Sequence, residues 1–170
     1  KINSIHHYPN YKAAIDQCEC IMLGGGNTFH LLYELHHNNL IEIIRNKVLN
    51  GTPYLGWSAG ANLACPTIKT TNDMPIVFPL SFDALNLIDF QINPHYLDDN
   101  PSNHGGETRE QRIKEFLVVN KDTKVLGLRE GTYLNVYDEK IWLKGKKSAR
   151  LFNFYSDPIE INPSDDPINI

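Results

Sequence analysis

Two glycines, each two residues from a central serine in Gly56-Trp57-Ser58-Ala59-Gly60, constrain this chain's fold more than any other stretch. The run from Thr52 to Ala64 reads TPYLGWSAGANLA: a short apolar segment bracketed by Pro53 and Gly56, a sharp turn, then small residues with helical potential. A serine at the apex of a strand-to-helix corner sits in strained backbone. A glycine on either side lets strand and helix approach with no Cβ between them. The corner turns the hydroxyl outward and aims the amides that open the helix at whatever binds beside it. This is the pattern of a nucleophile elbow. The bland alternative is a Gly-rich turn with a surface serine, and the strand-like and helix-like flanks on the correct sides weigh against it.

The segments around the elbow repeat its strand-then-helix order. Pro9 to Gln17 reads as a short helix with Pro9 in its first turn. Cys20 to Leu23 reads as a buried parallel strand cut off by Gly24-Gly25-Gly26. Asn27 and Thr28 offer N-cap oxygens for a helix carrying Phe29, Leu32 and Leu35 on one face. A second helix holds Leu40, Ile44 and Val48 and stops near Asn50-Gly51. Beyond the elbow, Pro66 to Ser81 is loop-rich, and Leu87 to Ile92 is an apolar strand ended by Asn93-Pro94-His95-Tyr96. A polar connection from Asp98 to Glu107 leads to an amphipathic helix from Thr108, with Ile113, Phe116 and Leu117 inward. Lys124 to Leu128 is a further strand, closed by Arg129-Glu130-Gly131. The tail alternates with period two through Tyr133, Asn135 and Tyr137, then Ile141 to Leu143, then Arg150 to Tyr155. The expected fold is α/β: a mostly parallel sheet with flanking helices and C-terminal β-hairpins. With no internal repeat and no linker composition, residues 1–170 are expected to form one domain.

Composition excludes several function classes. The 170 residues are 41% apolar and 21% charged with a net charge of −4, ordinary for a globular chain and wrong for a basic nucleic-acid or anionic-membrane surface. No apolar run approaches a membrane span. Cys18, Cys20 and Cys65 make neither a disulfide framework nor zinc spacing, so a reducing, cytoplasmic setting is expected.

Gly24-Gly25-Gly26-Asn27 lacks GxGxxG spacing and a P-loop lysine, so it fits backbone donors beside the nucleophile better than a nucleotide cradle. A tight strand-to-helix turn remains an equal reading of those four residues alone. Seven histidines include no helical zinc pairing, and no metal is expected. His95 stands apart because it follows a strand, where a sheet delivers loop residues to its carboxyl edge. A serine nucleophile needs such a base, itself oriented by a carboxylate. Asp73, in the loop after the elbow helix, and Glu130, immediately after a strand, compete for that third place.

Four stretches, LGGGNTFHLL, GWSAGANLACPTIKTTNDMPIV, FDALNLIDFQINPHY and GETREQRI, together resemble the serine peptidase family that holds peptidase E and cyanophycinase. The resemblance covers nearly the whole chain. It implies a fold akin to class I glutamine amidotransferases and hydrolysis of dipeptides with an N-terminal aspartate through an acyl-enzyme, without a cofactor. By matching motif, Ser58 corresponds to the family nucleophile and His95 to its base. Asp73 and Glu130 both match acidic positions proposed for the third member, and the Gly26 and Ala59 N–H groups match the oxyanion donors. Arg109, within GETREQR, is the candidate for the substrate carboxylate, since a guanidinium fork binds it bidentately. Glu107 or Asp73 is the candidate for the substrate ammonium, and Asn27 a further substrate contact. The family's opening strand, helix and strand are expected to be missing before Lys1, which would leave an apolar strand edge. The expected partner is a small dipeptide, with no nucleic acid or membrane, and the reading leaves room for a homodimer.

Three other functions stay open. A cyanophycinase-like enzyme acting on β-aspartyl bonds would share Ser58 and His95, but TNDMP and GETREQR favour the dipeptidase. A carboxylesterase of the α/β-hydrolase kind shares GxSxG and usually needs a longer chain. A non-catalytic binding protein could keep the elbow as scaffold.

Overall fold

The computed structural model describes residues 1–99 and 105–170, so the middle of the expected Asp98–Glu107 connection lies outside the described residues. The chain forms two compact units, Lys1–Asp89 and Phe90–Ile170.

After a 3-10 turn at Ile5–His7, the first unit contains α1 (Tyr11–Gln17), β1 (Ile21–Leu23), α2 (Thr28–His37), α3 (Ile41–Leu49), β2 (Tyr54–Gly56) and α4 (Ala59–Ala64). Helix α1 starts two residues later than Pro9 because Asn10 is its cap, the Asn10 Oδ1 accepting from the Ala13 N–H at 3.0 Å. Asn27 caps α2 in the same way through the His30 N–H at 3.0 Å. Helix α3 stops where Gly51 turns to a φ of +100°. Strands β1 and β2 pair in parallel, Ile21 opposite Tyr54 and Leu23 opposite Gly56. Their connection contains α2 and α3, the crossover a parallel pair requires. Leu32, Leu35, Ile44 and Leu63 pack with Ile15 and Ile21 into one apolar core. Each such side chain contributes about 1.5–3 kcal/mol by leaving water. The segment after α4 has little regular structure, yet Ile68 and Leu85 are fully buried in that same core. Backbone bonds from Ile68 N to the Phe82 carbonyl and from Leu85 N to the Leu63 carbonyl hold the loop down.

The second unit contains β3 (Gln91–Pro94), α5 (Arg109–Val119), β4 (Val125–Leu128), β5 (Thr132–Tyr137), β6 (Lys140–Gly145), β7 (Ala149–Phe152) and β8 (Ile159–Ile161). Its four-stranded sheet runs β3-β4-β7-β8, with β3 and β4 parallel and the other neighbours antiparallel. Strand β3 does not follow the apolar run Leu87–Ile92. It begins at Gln91, whose N–H donates to the Lys124 carbonyl, and includes Asn93 and Pro94. Gln91 and Asn93 are buried polar residues, so hydropathy misplaces the strand by about four positions; a proline is tolerated at the strand's last residue. Strands β5 and β6 form a separate hairpin over a two-residue turn at Asp138 and Glu139, both at positive φ. Of the alternating tail only β7 joins the larger sheet, followed by β8, a strand beyond the expected ones. Among the described residues the parallel pairs are β1–β2 and β3–β4, so the sheets are mixed rather than mostly parallel.

Helix α5 is fixed at its start by a reciprocal capping box. The Thr108 Oγ1 accepts from Gln111 N at 3.1 Å and the Gln111 side chain accepts from Thr108 N at 2.7 Å. Ile113 and Leu117 then pack with Val125, Tyr96 and Phe152.

A second device, not foreseen from the sequence, is the Arg129 guanidinium at the end of β4. Its side chain is only 12% exposed and forks onto two carboxylates. Nε and Nη2 donate to Asp98, the former at 2.9 Å. Nη1 and Nη2 donate to Glu160 at 2.8 and 2.9 Å, and Nη1 also reaches the Ser148 carbonyl at 2.9 Å. One side chain thereby joins the turn after β3, the start of β7 and the middle of β8. Hydrogen bonds from Arg129 hold Glu160 down to about 2 and Asp98 below its ordinary range, and they raise the guanidinium itself.

These contacts make two testable expectations. A Cβ on Gly60 would lie 2.0 Å from the Leu23 carbonyl oxygen, a backbone atom with nowhere to go. Gly60→Ala should destabilise the protein by about 3 kcal/mol in denaturant titration, whereas Gly51→Ala, whose Cβ position has nothing within 4 Å among the described residues, should cost only the strain of its positive φ. The depressed acid of Glu160 sets a pH dependence. A carboxylate bound more tightly folded than unfolded adds stability above its unfolded value, and that stability drains as pH falls through the folded value. The parent should lose melting temperature between about pH 4.5 and 2 more steeply than Glu160→Gln, as measured by thermal melts across that window.

Candidate active site

Ser58 is the residue before α4, at φ 55° and ψ −115°, a conformation a non-glycine residue adopts only when its surroundings enforce it. The enforcement comes from both sides. Trp57 N donates to the Leu23 carbonyl at 3.2 Å, continuing the β1–β2 ladder. Gly60 N donates to the Gly24 carbonyl at 3.2 Å, and Ala61 and Asn62 donate to the Ser58 carbonyl. The corner closes because Gly56 and Gly60 meet directly: a Cβ on Gly56 would stand 2.5 Å from the Gly60 oxygen. The Tyr54 hydroxyl donates to that same oxygen at 2.7 Å, and burial pushes its phenol up, keeping it a donor.

The glycine loop lies against the serine. A Cβ added to Gly25 would be 3.3 Å from the Ser58 Cβ and 3.6 Å from its Oγ, so a side chain there would crowd the serine. Gly24 is covered by the Trp57 indole, whose ring carbon would meet an added Cβ at 3.1 Å. Gly26 stands at φ +127°. The Ala59 N–H is the first of α4 and has no acceptor within its own helix. The glycine loop at Gly25 and the opening of α4 thus both lie next to Ser58, Ala59 being the residue that follows it.

Asp73 and Asn27 belong to the anchorage of that loop. The Asp73 Oδ2 accepts from both Thr28 N at 2.7 Å and Thr28 Oγ1 at 2.6 Å. The Asn27 Oδ1 caps α2 while its Nδ2 donates to the Met74 carbonyl at 2.8 Å. Both ends of the Asn27 side chain are therefore used by the fold.

In the second unit, parallel pairing delivers His95 and Glu130 side by side. Pro94 stands opposite Leu128, and Tyr96 N donates to the Leu128 carbonyl at 3.1 Å. His95 follows at φ 55°, and its Nδ1 is hydrogen-bonded to the Glu130 Oε1. Alternation then sorts the neighbours: His95 and Glu130 are exposed, while Tyr96 is buried and lies 5.5 Å from the Arg129 guanidinium. Of the two carboxylates that compete in the sequence, Glu130 is the one paired with His95. Arg109 is the first residue of α5 and half-buried. Glu107 is exposed and pairs with Arg112 at 3.6 Å.

Three contributors escape the sequence. Trp57 is an ordinary x of GxSxG, Thr28 a plain helix start, and Arg129 a charged neighbour of a more conspicuous acid. A signal existed only for Arg129, since strand alternation puts it on the face opposite Glu130. Among the described residues no group of three or more His, Cys, Asp or Glu could hold a metal ion, and no helix is long and apolar enough to cross a membrane.

The sequence model of peptidase family S51 matches residues 1–144. A protein of Nostoc sp. named peptidase E is 53% identical over 165 residues, covering 97% of this chain and 68% of its own length. A peptidase E of Shewanella sp. is 52% identical over 151 residues, covering 89% of this chain and 64% of its own. The chain thus spans about two thirds of the length of these curated relatives. The crystal structure of a peptidase from an acI-B1 Actinobacterium matches with a TM-score of 0.66 over 95% of this chain and 64% of that one, at 15% identity, a likeness of fold alone. The chain belongs to peptidase family S51.

Proposed function

We propose that this chain carries the catalytic machinery of a serine dipeptidase that hydrolyses dipeptides with an N-terminal aspartate. The observation that carries the reading is the elbow itself: a half-buried Ser58 at positive φ with a glycine backbone against its hydroxyl. In this reading Ser58 Oγ attacks the scissile carbonyl and His95 takes its proton. Glu130, hydrogen-bonded to the Nδ1 of His95, fixes the tautomer that leaves Nε2 as the base and stabilises the imidazolium that forms. The Gly26 and Ala59 N–H groups receive the oxyanion, in place of the water that would otherwise solvate it. His95 then protonates the departing amine, and water repeats the cycle on the acyl-enzyme.

Specificity for aspartate is assigned to Arg109. A guanidinium fork matches a carboxylate in shape and charge, and asparagine in its place takes away the charge-assisted bidentate contact. Glu107 is the candidate for the ammonium, its pairing with Arg112 notwithstanding. Peptidase E is the name carried by the relatives about 50% identical to this chain, which favours α-aspartyl dipeptides over the β-aspartyl bonds of a cyanophycinase-like enzyme.

Two kinetic expectations follow from the assigned roles. Ser58→Ala should abolish hydrolysis of Asp-Leu with an unchanged melting profile, and Glu130→Gln should lower kcat by about 10²- to 10⁴-fold, as in other triads whose orienting acid is neutralised. Turnover by Ser58→Ala at the parental rate would overturn the mechanism. Asn-Leu should be cleaved at least about 10²-fold less efficiently than Asp-Leu, the cost of losing a charge-assisted bidentate contact with the substrate, and Arg109→Met should erase that difference. Equal kcat/KM for the two dipeptides in the parent would refute the aspartate pocket.

A further inference from the structure

The glycine loop poses a mechanical problem. Gly24, Gly25 and Gly26 have no side chains with which to fix themselves, yet the proposed oxyanion site requires the Gly26 amide to hold position to a fraction of an ångström. The loop is pinned at its upstream end, where Gly60 N holds the Gly24 carbonyl and the Trp57 indole covers Gly24. Its downstream end is the junction with α2, and there the pins come from a distant stretch of chain. The Asp73 carboxylate accepts the backbone N–H and the hydroxyl of Thr28, a residue with no solvent exposure. Thr71 Oγ1 donates to Thr28 Oγ1 at 3.0 Å, and Asp73 N donates to Thr71 Oγ1 at 3.3 Å. The next carbonyl, of Met74, takes the Asn27 side chain. Helix α2 already has its local cap in Asn27, so the helix alone does not call for these bonds across more than forty residues of sequence. What they add is a fixed place for the first residue after Gly26 and Asn27.

We infer that Asp73 is a positioning residue: it holds the Thr28 end of the glycine loop so that the Gly26 amide faces the developing oxyanion. This rests on the proposed function above. It removes Asp73 from the competition to orient His95 and from contact with the substrate ammonium. The carboxylate is suited to the place. It lies at the N-terminus of a ten-residue helix, where unsatisfied amides and the helix dipole favour negative charge, and a charged acceptor binds N–H and O–H donors about twice as strongly as a neutral one.

The test compares Asp73→Asn, Asp73→Ala and Thr28→Val in the full chain. Asparagine keeps one oxygen that accepts from Thr28 and alanine keeps none. A positioning role therefore predicts a graded loss of kcat on Asp-Leu, modest for Asp73→Asn and about 10²-fold for Asp73→Ala, with KM nearly constant. Affinity for a boronic acid, which forms a tetrahedral adduct on the serine, should fall in step with kcat/KM. Thr28→Val added to Asp73→Ala should cost little more, because both remove one link. Amide hydrogen exchange over residues 24–28 should speed up in Asp73→Ala and not in Ser58→Ala. The exchange result stands even if the parent cleaves no aspartyl dipeptide, which separates failure of this inference from failure of the functional reading. A KM that rises equally in Asp73→Asn and Asp73→Ala with kcat unchanged would overturn it, since loss of charge would then matter and loss of the anchor would not. Parental exchange over residues 24–28 in Asp73→Ala would overturn it as well, whatever the activity.

Discussion

The unit that carries Ser58 depends on an approach of backbone to backbone. Helix α4 lies so close to the end of β1 that Gly60 touches the Leu23 carbonyl, where any side chain would intrude to 2.0 Å. Everything distinctive about the serine follows from that distance. The chain has only Trp57 and Ser58 in which to reverse from β2 into α4, so Ser58 takes a positive φ. The strain is of the order of 1–3 kcal/mol and is offset by the core beneath it, in which Leu63 of α4 is fully buried against Leu32 and Ile44. The same closeness brings the Gly24 carbonyl to Gly60 N, which draws the glycine loop alongside the hydroxyl.

The second unit solves a different problem, that of aiming two exposed side chains from strand ends. A histidine and a glutamate on open loops would lose their pairing to side-chain entropy, and exposed ion pairs contribute little by themselves. Here the residues on either side do the fixing. Tyr96 turns inward after His95, and burial raises its phenol to about 12, while Arg129 turns inward before Glu130 and binds Asp98 three residues beyond His95. The network continues through Glu160 to Arg150 and on to Glu110 of α5. The pair at the surface is thus carried by a half-buried lattice of charges below it.

Much of this was legible in the residues. GxSxG announced the corner because the reason for each glycine is steric and local, and Asn27, Thr108 and Gly51 announced helix ends because capping is local too. The strand at Gln91–Pro94 was misplaced because its polar members are buried by partners distant in sequence, which no period-two pattern records. The mixed character of the sheets was hidden for a related reason: alternation marks β7 as a strand without saying which neighbour it joins, and β8 was not marked at all. The competition between Asp73 and Glu130 was open because both follow regular elements in suitable loops. What the residues alone do not show is the register that sets Pro94 opposite Leu128 and Glu130 beside His95, and the hydrogen bonds that Thr28 makes to Asp73. The roles of Arg129 and Thr28 went unread because an arginine beside a glutamate and a threonine at a helix start are common on any surface.

The central claim is that Ser58 is a reactive nucleophile and not a serine in a tight turn. Its most direct measurement is peptide mapping by mass spectrometry after incubation with a small fluorophosphonate. The account predicts a single adduct, on the peptide containing Ser58, whose rate of formation collapses in His95→Ala. An unmodified protein, or an adduct elsewhere with Ser58 intact, would contradict it.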